Sequence, residues 1–181
     1  MIKTNIPIKD IADYTILVLY SRGIPVSTLK LQKILYYIQA WHMVYFGKDK
    51  LLFDEAPEAW INGPVYRSIF DAYKNKFGLY DNITPDIQKD ISIEKSIYDT
   101  HSKLGIDKDQ TDFLEFIFLH YGTMTDGKLV FLTHCEKPWS EKREGLEPFD
   151  HSEEKISMET MYQYYYTRME RNRKERGNGK V

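Results

Sequence analysis

Apolar residues recur at intervals of three and four along most of the chain, a spacing that is typical of amphipathic α-helices. The clearest stripe lies between Thr28 and Phe46, follows the good N-cap residue Ser27 and ends at Gly47. A second stripe covers residues 8–22. The residues predicted to form one buried face of the 28–46 helix are Leu31, Ile34, Leu35, Ile38, Trp41 and Tyr45.

The helical spacing is lost between residues 51 and 62, where the run from Glu58 to Ile61 is suited to a short β-strand. We predict that this strand belongs to a small antiparallel sheet and pairs with residues near Ile156. The Gly63-Pro64 pair predicts a turn, with Pro64 in the first turn of a helix that extends to Phe77. The predicted fold class is mainly α: a single compact helical domain with a small antiparallel β-sheet.

Later segments add four more helices to this prediction. Residues 79–106 are mostly polar and are predicted as loop with one short helix. Asp107 can cap a helix that reaches Tyr121, and Thr125 or Asp126 can cap a shorter helix that breaks at Pro138. The 107–121 helix is predicted to bury Phe113, Phe116, Ile117 and His120. The final helix, capped by Ser157 and followed by a basic end, is predicted to place Met158, Met161, Tyr162, Tyr165 and Met169 on one face.

Composition narrows the class of protein. The 181 residues are 42% hydrophobic, which is enough for one domain with a sizeable core, and carry a net charge of -2. That charge removes the whole-protein electrostatic argument for binding nucleic acid or an anionic membrane. No apolar run is long enough to cross a bilayer, and the N-terminus lacks the pattern of a secretory leader. We therefore expect a cytoplasmic protein.

The residues that could take part in catalysis or metal binding do not form a recognisable catalytic or metal centre. Cys135 follows His134, but neighbours on a helix point about 100° apart and rarely meet as nucleophile and base. The five histidines lack the spacing that chelates a metal from one turn, and the glycines do not form a phosphate loop. We predict no enzyme activity, no metal and no cofactor, with Cys135 as a small buried thiol.

Two patterns keep nucleic-acid binding open as an alternative. Residues 8–46 can be interpreted as a helix-turn-helix, although the second helix has its widest face apolar. The tyrosines at 162–166, followed by several arginines, have a composition that also occurs in RNA-binding proteins. An amphipathic helix with basic residues in its last turns accounts for the same composition, and a protein partner is equally compatible with it.

Two runs of the sequence resemble a known family. LKLQKILYYIQAWHMVYFGKDKLLFDEAPEAWINGPV at residues 29–65 and LTHCEKPWSEKREG at residues 132–145 are similar to the Panacea domain, the SocA-like antitoxin family. The resemblance spans about residues 8–167, so we predict a Panacea domain over 1–167 and a basic helix end and tail over 168–181. The matching positions are Lys30, Leu31, Gln32, Lys33, Leu35, Tyr36, Tyr37, Glu58, Ala59, Trp60, Gly63, Pro64, Val65, Thr133, His134, Pro138 and Trp139.

The resemblance implies an antitoxin of a bacterial or prophage system that neutralises a toxin encoded by a neighbouring gene through direct binding. It also leaves open a proteolytic adaptor that delivers the toxin to an AAA+ protease, and a nucleic-acid-binding regulator is a further alternative. Neither catalysis nor a cofactor is implied. We expect Leu31, Leu35, Trp60 and Trp139 in the core. The candidate partner contacts are Lys30, Lys33, Tyr164, Tyr165, Tyr166 and Arg168.

Overall fold

The computed structural model describes residues 1–178, and in this part the chain forms eight α-helices and one two-stranded sheet. A π-helical turn, Phe118–Gly122, continues α5, and a 3-10 turn, Glu141–Arg143, follows α7. The helices are α1 Ile8–Ser21, α2 Thr28–Phe46, α3 Arg67–Tyr73, α4 Ile93–Leu104, α5 Lys108–Ile117, α6 Asp126–His134, α7 Lys137–Ser140 and α8 Met158–Asn178; the strands are β1 Glu58–Trp60 and β2 Gly63–Val65.

Helix α2 is the centre of the molecule. Every residue from Leu29 to Met43 is buried, because α1, α5, α6, α8 and the β-hairpin all pack around this helix. The predicted single buried face is therefore wrong for α2, since a helix that is surrounded on all sides has no solvent-facing stripe. Tyr45, which the spacing placed on that face, is 53% exposed.

The predicted helix starts are confirmed by their caps. Ser27 accepts a hydrogen bond from the backbone N–H of Lys30, and Thr125 does the same for Lys128. The side chain of Asp107 caps α5, and Ser157 accepts a hydrogen bond from the backbone N–H of Thr160 at 3.3 Å. These short polar side chains satisfy amide groups that the first turn of a helix leaves without partners.

The sheet is a hairpin, and the prediction for its second half is wrong. β1 pairs with β2 in the register Glu58 to Val65, Ala59 to Pro64 and Trp60 to Gly63. Pro64 therefore lies in a strand, where its missing N–H is tolerated, and α3 starts only at Arg67. The predicted pairing near Ile156 is confirmed as a bridge: the Ile156 amide donates to the Pro57 carbonyl at 2.8 Å.

Helix α5 differs from its prediction in length and in orientation. It ends at Ile117 and continues as the π-helical turn, which shifts the spacing of the residues that follow. Phe113 and Ile117 are buried as predicted, whereas Phe116 and His120 are exposed. The buried positions of α5 are therefore spaced by three and four from Gln110, and Phe116 lies outside that stripe.

Helix α8 packs along α2 with the face that the sequence predicts. Met161 and Tyr165 are fully buried, and Met158, Tyr162 and Met169 are half-buried against the core. The helix continues without a break across residues 167 and 168, and positions 179–181 of the predicted basic tail lie outside the described residues. Among residues 1–178, no helix has both the length and the hydropathy needed to span a membrane.

Candidate functional site

The family-matching positions from Lys30 to Tyr37 lie on α2 and are buried throughout. Lys30, Gln32 and Lys33 have almost no exposed surface, and Leu31, Tyr36 and Tyr37 have none. A buried polar side chain needs hydrogen-bond partners, and the partners of Gln32 and Lys33 belong to the hairpin. The motif therefore connects the central helix to the sheet.

Gln32 and Lys33 hold strand β2 and the residue after it. The Gln32 amide group accepts from the Tyr66 N–H at 2.8 Å and donates to the Tyr66 carbonyl at 3.2 Å, so one side chain replaces two ladder hydrogen bonds. Lys33 Nζ donates to the Pro64 carbonyl at 3.0 Å. Burial lowers the pKa of Lys33 to about 7, although the charge of nearby Asp126 acts in the opposite direction.

Gly63 is required where the hairpin meets α2 and α6. Its φ of +96° is in the region that favours glycine. A Cβ atom at this position would lie 2.7 Å from Lys33 Cε and 2.7 Å from Thr133 Oγ1. Gly63 therefore lies between Lys33 of α2 and Thr133 of α6, so family-matching residues from three parts of the chain meet here. We call this set the hairpin joint: Gln32, Lys33, Gly63, Pro64, Thr133, His134 and Trp139.

His134 and Trp139 close the hairpin joint from the α6–α7 side. Their rings stack at a centroid distance of 3.9 Å, and Trp139 Nε1 donates to the Trp60 carbonyl at 2.9 Å. Burial lowers the pKa of His134, and the positive charges of Lys33 and Arg143 act in the same direction. The prediction that Trp60 and Trp139 are core residues needs correction, because both are half-buried, while Leu31 and Leu35 are fully buried as expected.

Glu58 fixes the outer side of the hairpin. Its carboxylate accepts from Trp60 Nε1 at 2.7 Å and from Arg67 Nη2 at 2.9 Å. The Arg67 guanidinium also lies over the Trp60 ring, 4.7 Å from its centroid. These contacts orient the Trp60 side chain along the surface of the hairpin.

A second buried polar cluster, which sequence reasoning missed, surrounds Glu136. Its carboxylate accepts from the Tyr165 hydroxyl at 2.5 Å, from the Tyr37 hydroxyl at 3.3 Å and from Arg168 Nη1 at 3.1 Å. Burial raises the pKa of Glu136 to about 7 even though these three donors stabilise the carboxylate. The available signal in the sequence was that Glu136 follows Thr133 by three positions, the spacing of residues on one helix face.

The predicted partner contacts divide into buried and accessible residues. Lys33 and Tyr165 have no exposed surface and Lys30 is 5% exposed, so the structure does not present these three side chains at the surface, where the prediction expects them. Their burial follows from the packing of the hairpin, α6 and α8 around α2. Tyr164 and Arg168 are half-buried, and Tyr166 is exposed. These last three lie on α8 and remain candidates.

A surface groove of about 400 Å³ opens beside the hairpin joint, between the hairpin, α2 and α3. Gln32 and Trp60 of the family motifs contribute to its wall, with Lys74 and His151 as its basic side chains. We call it the hairpin groove. Its apolar lining residues are Leu29, Trp60, Ile61, Val65, Ile69, Phe70, Tyr73, Phe77 and Leu79.

The two residues that suggested nucleophilic chemistry differ in exposure. Cys135 is exposed, which corrects the prediction of a buried thiol, while His134 Nε2 is buried and has no hydrogen-bond partner within residues 1–178. The ring of His134 stacks on that of Trp139. Within the described residues, no group of three His, Cys, Asp or Glu side chains could hold a metal ion.

The architecture defines a mainly α-helical domain in which a short hairpin is clamped onto a buried central helix. The chain belongs to the antitoxin SocA-like, Panacea domain family, whose model matches residues 31–140. The resemblance stated from the motifs is thereby confirmed. The match runs from α2 to the end of α7 and does not include α8. No curated protein and no solved structure gives a significant match to the chain.

Proposed function

We propose that this protein is the antitoxin of a bacterial or prophage toxin-antitoxin system and that it neutralises its toxin in the cytoplasm by forming a direct complex. The toxin is the product of a neighbouring gene, and no catalysis by the antitoxin is needed. The observation that supports this proposal most strongly is the hairpin groove in a chain of this family. An open, mostly apolar groove is suited to anchoring side chains of a partner protein.

The hairpin groove has the properties of an interface centre. Leu79 is 42% exposed at its edge, and Trp60 and Phe70 are half-buried with their rings 4.7 Å apart. Aromatic side chains held in place by their neighbours lose little entropy on binding, and this favours them as anchors. Because Glu58 and Arg67 hold the Trp60 ring and Trp139 holds the Trp60 carbonyl, the groove is preorganised for its partner.

A second accessible surface lies on α8 around Tyr164, Tyr166 and Arg168. Tyr164 and Arg168 line a groove of about 510 Å³ next to exposed Cys135 and Lys137. Tyrosine and arginine are enriched among residues that dominate binding energy. We include these three residues among the proposed toxin contacts.

The proposal is tested by expressing the protein together with the product of the neighbouring gene. We expect growth to be restored and both proteins to purify as one complex at moderate salt. Leu79→Glu places a charge in the hairpin groove and is expected to weaken the complex and the rescue. Leu146→Glu is the matched control, because Leu146 is exposed to a similar extent, 39%, and lies outside the groove. Equal binding and equal rescue by the two variants would exclude the hairpin groove as the toxin-binding surface.

The alternative functions give different results in the same cells. A proteolytic adaptor for an AAA+ protease would lower the amount of toxin, and rescue would fail in cells that lack the protease. A nucleic-acid-binding regulator would lower toxin transcript and would lose affinity for its site steeply with added salt. An enzyme that uses Cys135 would lose rescue in Cys135→Ala, an exposed position at which the substitution leaves the fold intact. We expect full rescue by Cys135→Ala and unchanged toxin levels.

A further inference from the structure

A third groove, of about 720 Å³, lies between α2, the end of α5 with its π-helical turn, and α8. We call it the helix-8 groove. One of its walls is α8, which lies outside the family match, and the other two belong to the matched region. The groove therefore combines a surface shared with the family and a surface supplied by this chain's own C-terminal helix.

Two exposed aromatic rings line the helix-8 groove. Tyr45 is 53% exposed on α2, and Phe116 is 49% exposed on α5. The Phe116 ring stacks on His120 with an angle of 4° between the planes, which holds it in place. Half-buried Met169 of α8 lies beside them. Large aromatic side chains exposed next to each other in a concave surface are typical of binding sites.

Arginines form the α8 wall of the same groove. Arg168, Arg173 and Arg176 of α8 line it, together with Met169 and Asn172. Arg168 Nη1 is 3.1 Å from the Glu136 carboxylate and Arg173 Nη1 is 3.3 Å from that of Glu170, whereas Arg176 has no ion-pair partner within residues 1–178. No Asp or Glu lines the groove in the described part of the chain.

This positive charge is local. Residues 168–178 contain five basic and two acidic side chains, although the whole chain has a net charge of -2. A cationic wall beside an aromatic floor is complementary to a short segment that carries carboxylates and one large apolar side chain. The aromatic pair would take the apolar side chain, and Arg173 and Arg176 would pair with the carboxylates.

We infer that the helix-8 groove is a docking site for an acidic peptide segment of a protein partner, with a Phe or Leu seated against Tyr45 and Phe116. The inference goes beyond the proposed function, because it does not require this partner to be the toxin. A single-stranded nucleic acid is the less favoured occupant. Its phosphate backbone needs a continuous cationic track, whereas the arginines of this groove all lie on α8 and the α2 and α5 sides contribute no Lys or Arg.

Fluorescence anisotropy with three labelled probes tests this inference. The probes are an acidic hexapeptide of four Glu with one Phe and one Leu, the same peptide with Lys in place of Glu, and a 20-nucleotide oligo-dT. We expect the acidic peptide to bind the full chain, and Arg173→Glu to weaken it about tenfold, the effect typical of one interfacial charge pair. Lys174→Glu is the matched control, since it makes the same change of charge on α8 outside the groove.

Tyr45→Ala adds a variant without a change of charge. It is expected to weaken the acidic peptide several-fold, because the apolar contact is lost. The inference is overturned if the acidic peptide does not bind, if Arg173→Glu and Lys174→Glu weaken it equally, or if oligo-dT binds more tightly. Binding of the peptide by a protein that forms no toxin complex would refute the proposed function and leave this inference standing. The reverse outcome would refute this inference alone.

Discussion

The hairpin joint and the helix-8 groove contain similar residue types and use them in opposite ways. In the hairpin joint, Lys33 and Gln32 direct their polar groups to backbone carbonyls of the same chain, and Trp139 does so too. In the helix-8 groove, Tyr45 and Arg173 lie at the surface with much of their side chains exposed. The family-matching residues of the hairpin joint thus maintain the fold. The surfaces available to a partner lie next to these residues, and one of them includes α8, which is outside the family match.

The largest effect should come from the hairpin joint at Gly63. Gly63→Ala combines an unfavourable φ with contacts of 2.7 Å to Lys33 and Thr133, so we expect a loss of about 4 kcal/mol of unfolding free energy. Urea unfolding measures it. Gly127→Ala is the control, because nothing lies within 4 Å of its added Cβ, and it should be neutral or stabilise by up to about 1 kcal/mol. Similar losses in both variants would show that the joint is not specially constrained.

The next largest effect is a pH dependence of the unfolding free energy that the buried Glu136 causes. Burial raises the pKa of Glu136 from 4.5 to about 7 in the folded state. Folding then favours the protonated form, so the contribution of this group to stability is present below pH 4.5 and is lost as the pH rises toward 7. We expect wild type to lose on the order of 3 kcal/mol relative to Glu136→Gln across this window.

Thermal unfolding at several pH values measures this difference. Glu175→Gln changes an exposed carboxylate on the same helix as Arg168 and should follow the wild-type curve. A constant difference between wild type and Glu136→Gln over the window would show that Glu136 stays ionised in the folded protein.

A smaller effect is expected for Trp139, whose ring is half-buried and stacked on His134. Trp139→Ala should lower the unfolding free energy by about 2 kcal/mol and reduce toxin binding only in proportion to the unfolded fraction. Phe131→Ala is the control, since Phe131 is 61% exposed, and should change stability by less than about 0.5 kcal/mol. If Trp139→Ala melts like wild type but no longer binds, Trp139 belongs to the binding surface.

The smallest stability effect is predicted on α8. Tyr166→Ala removes a side chain that is 39% exposed and stacks on Tyr162, so the unfolding free energy should fall by only about 1 kcal/mol. Toxin binding should nevertheless weaken by about tenfold, because tyrosines at interface centres act as anchors. Titration calorimetry and a melting curve on the same sample compare the two quantities. Unchanged affinity would remove Tyr166 from the proposed contacts.

Local signals in the sequence predicted much of the fold. The caps at Ser27, Asp107, Thr125 and Ser157 marked where helices start, since they act on amides only two or three residues away. The strand at Glu58 was recognisable from the loss of helical spacing. The π-helical turn after Ile117 was not, because a single extra residue per turn leaves little trace in the pattern.

The grooves and the buried polar residues depend on contacts between distant parts of the chain. Lysine is usually a surface residue. Lys33 can be buried because its Nζ donates to the carbonyl of Pro64, which lies 31 positions away in the sequence. Glu136 is buried because Tyr165 and Arg168 of α8 reach it. The helix-8 groove exists because α8 packs on α2, a contact that spacing within either helix does not specify.

The most direct test of the account is a titration of purified toxin with this protein, followed by an assay of toxin activity. Direct neutralisation predicts that activity falls in proportion to the amount of antitoxin and reaches its minimum at a fixed molar ratio, independently of incubation time. Separation of the complex under mild denaturant should return active, chemically unchanged toxin. Complete inactivation by a small fraction of an equivalent, increasing with time, would contradict the account and show that the protein acts catalytically.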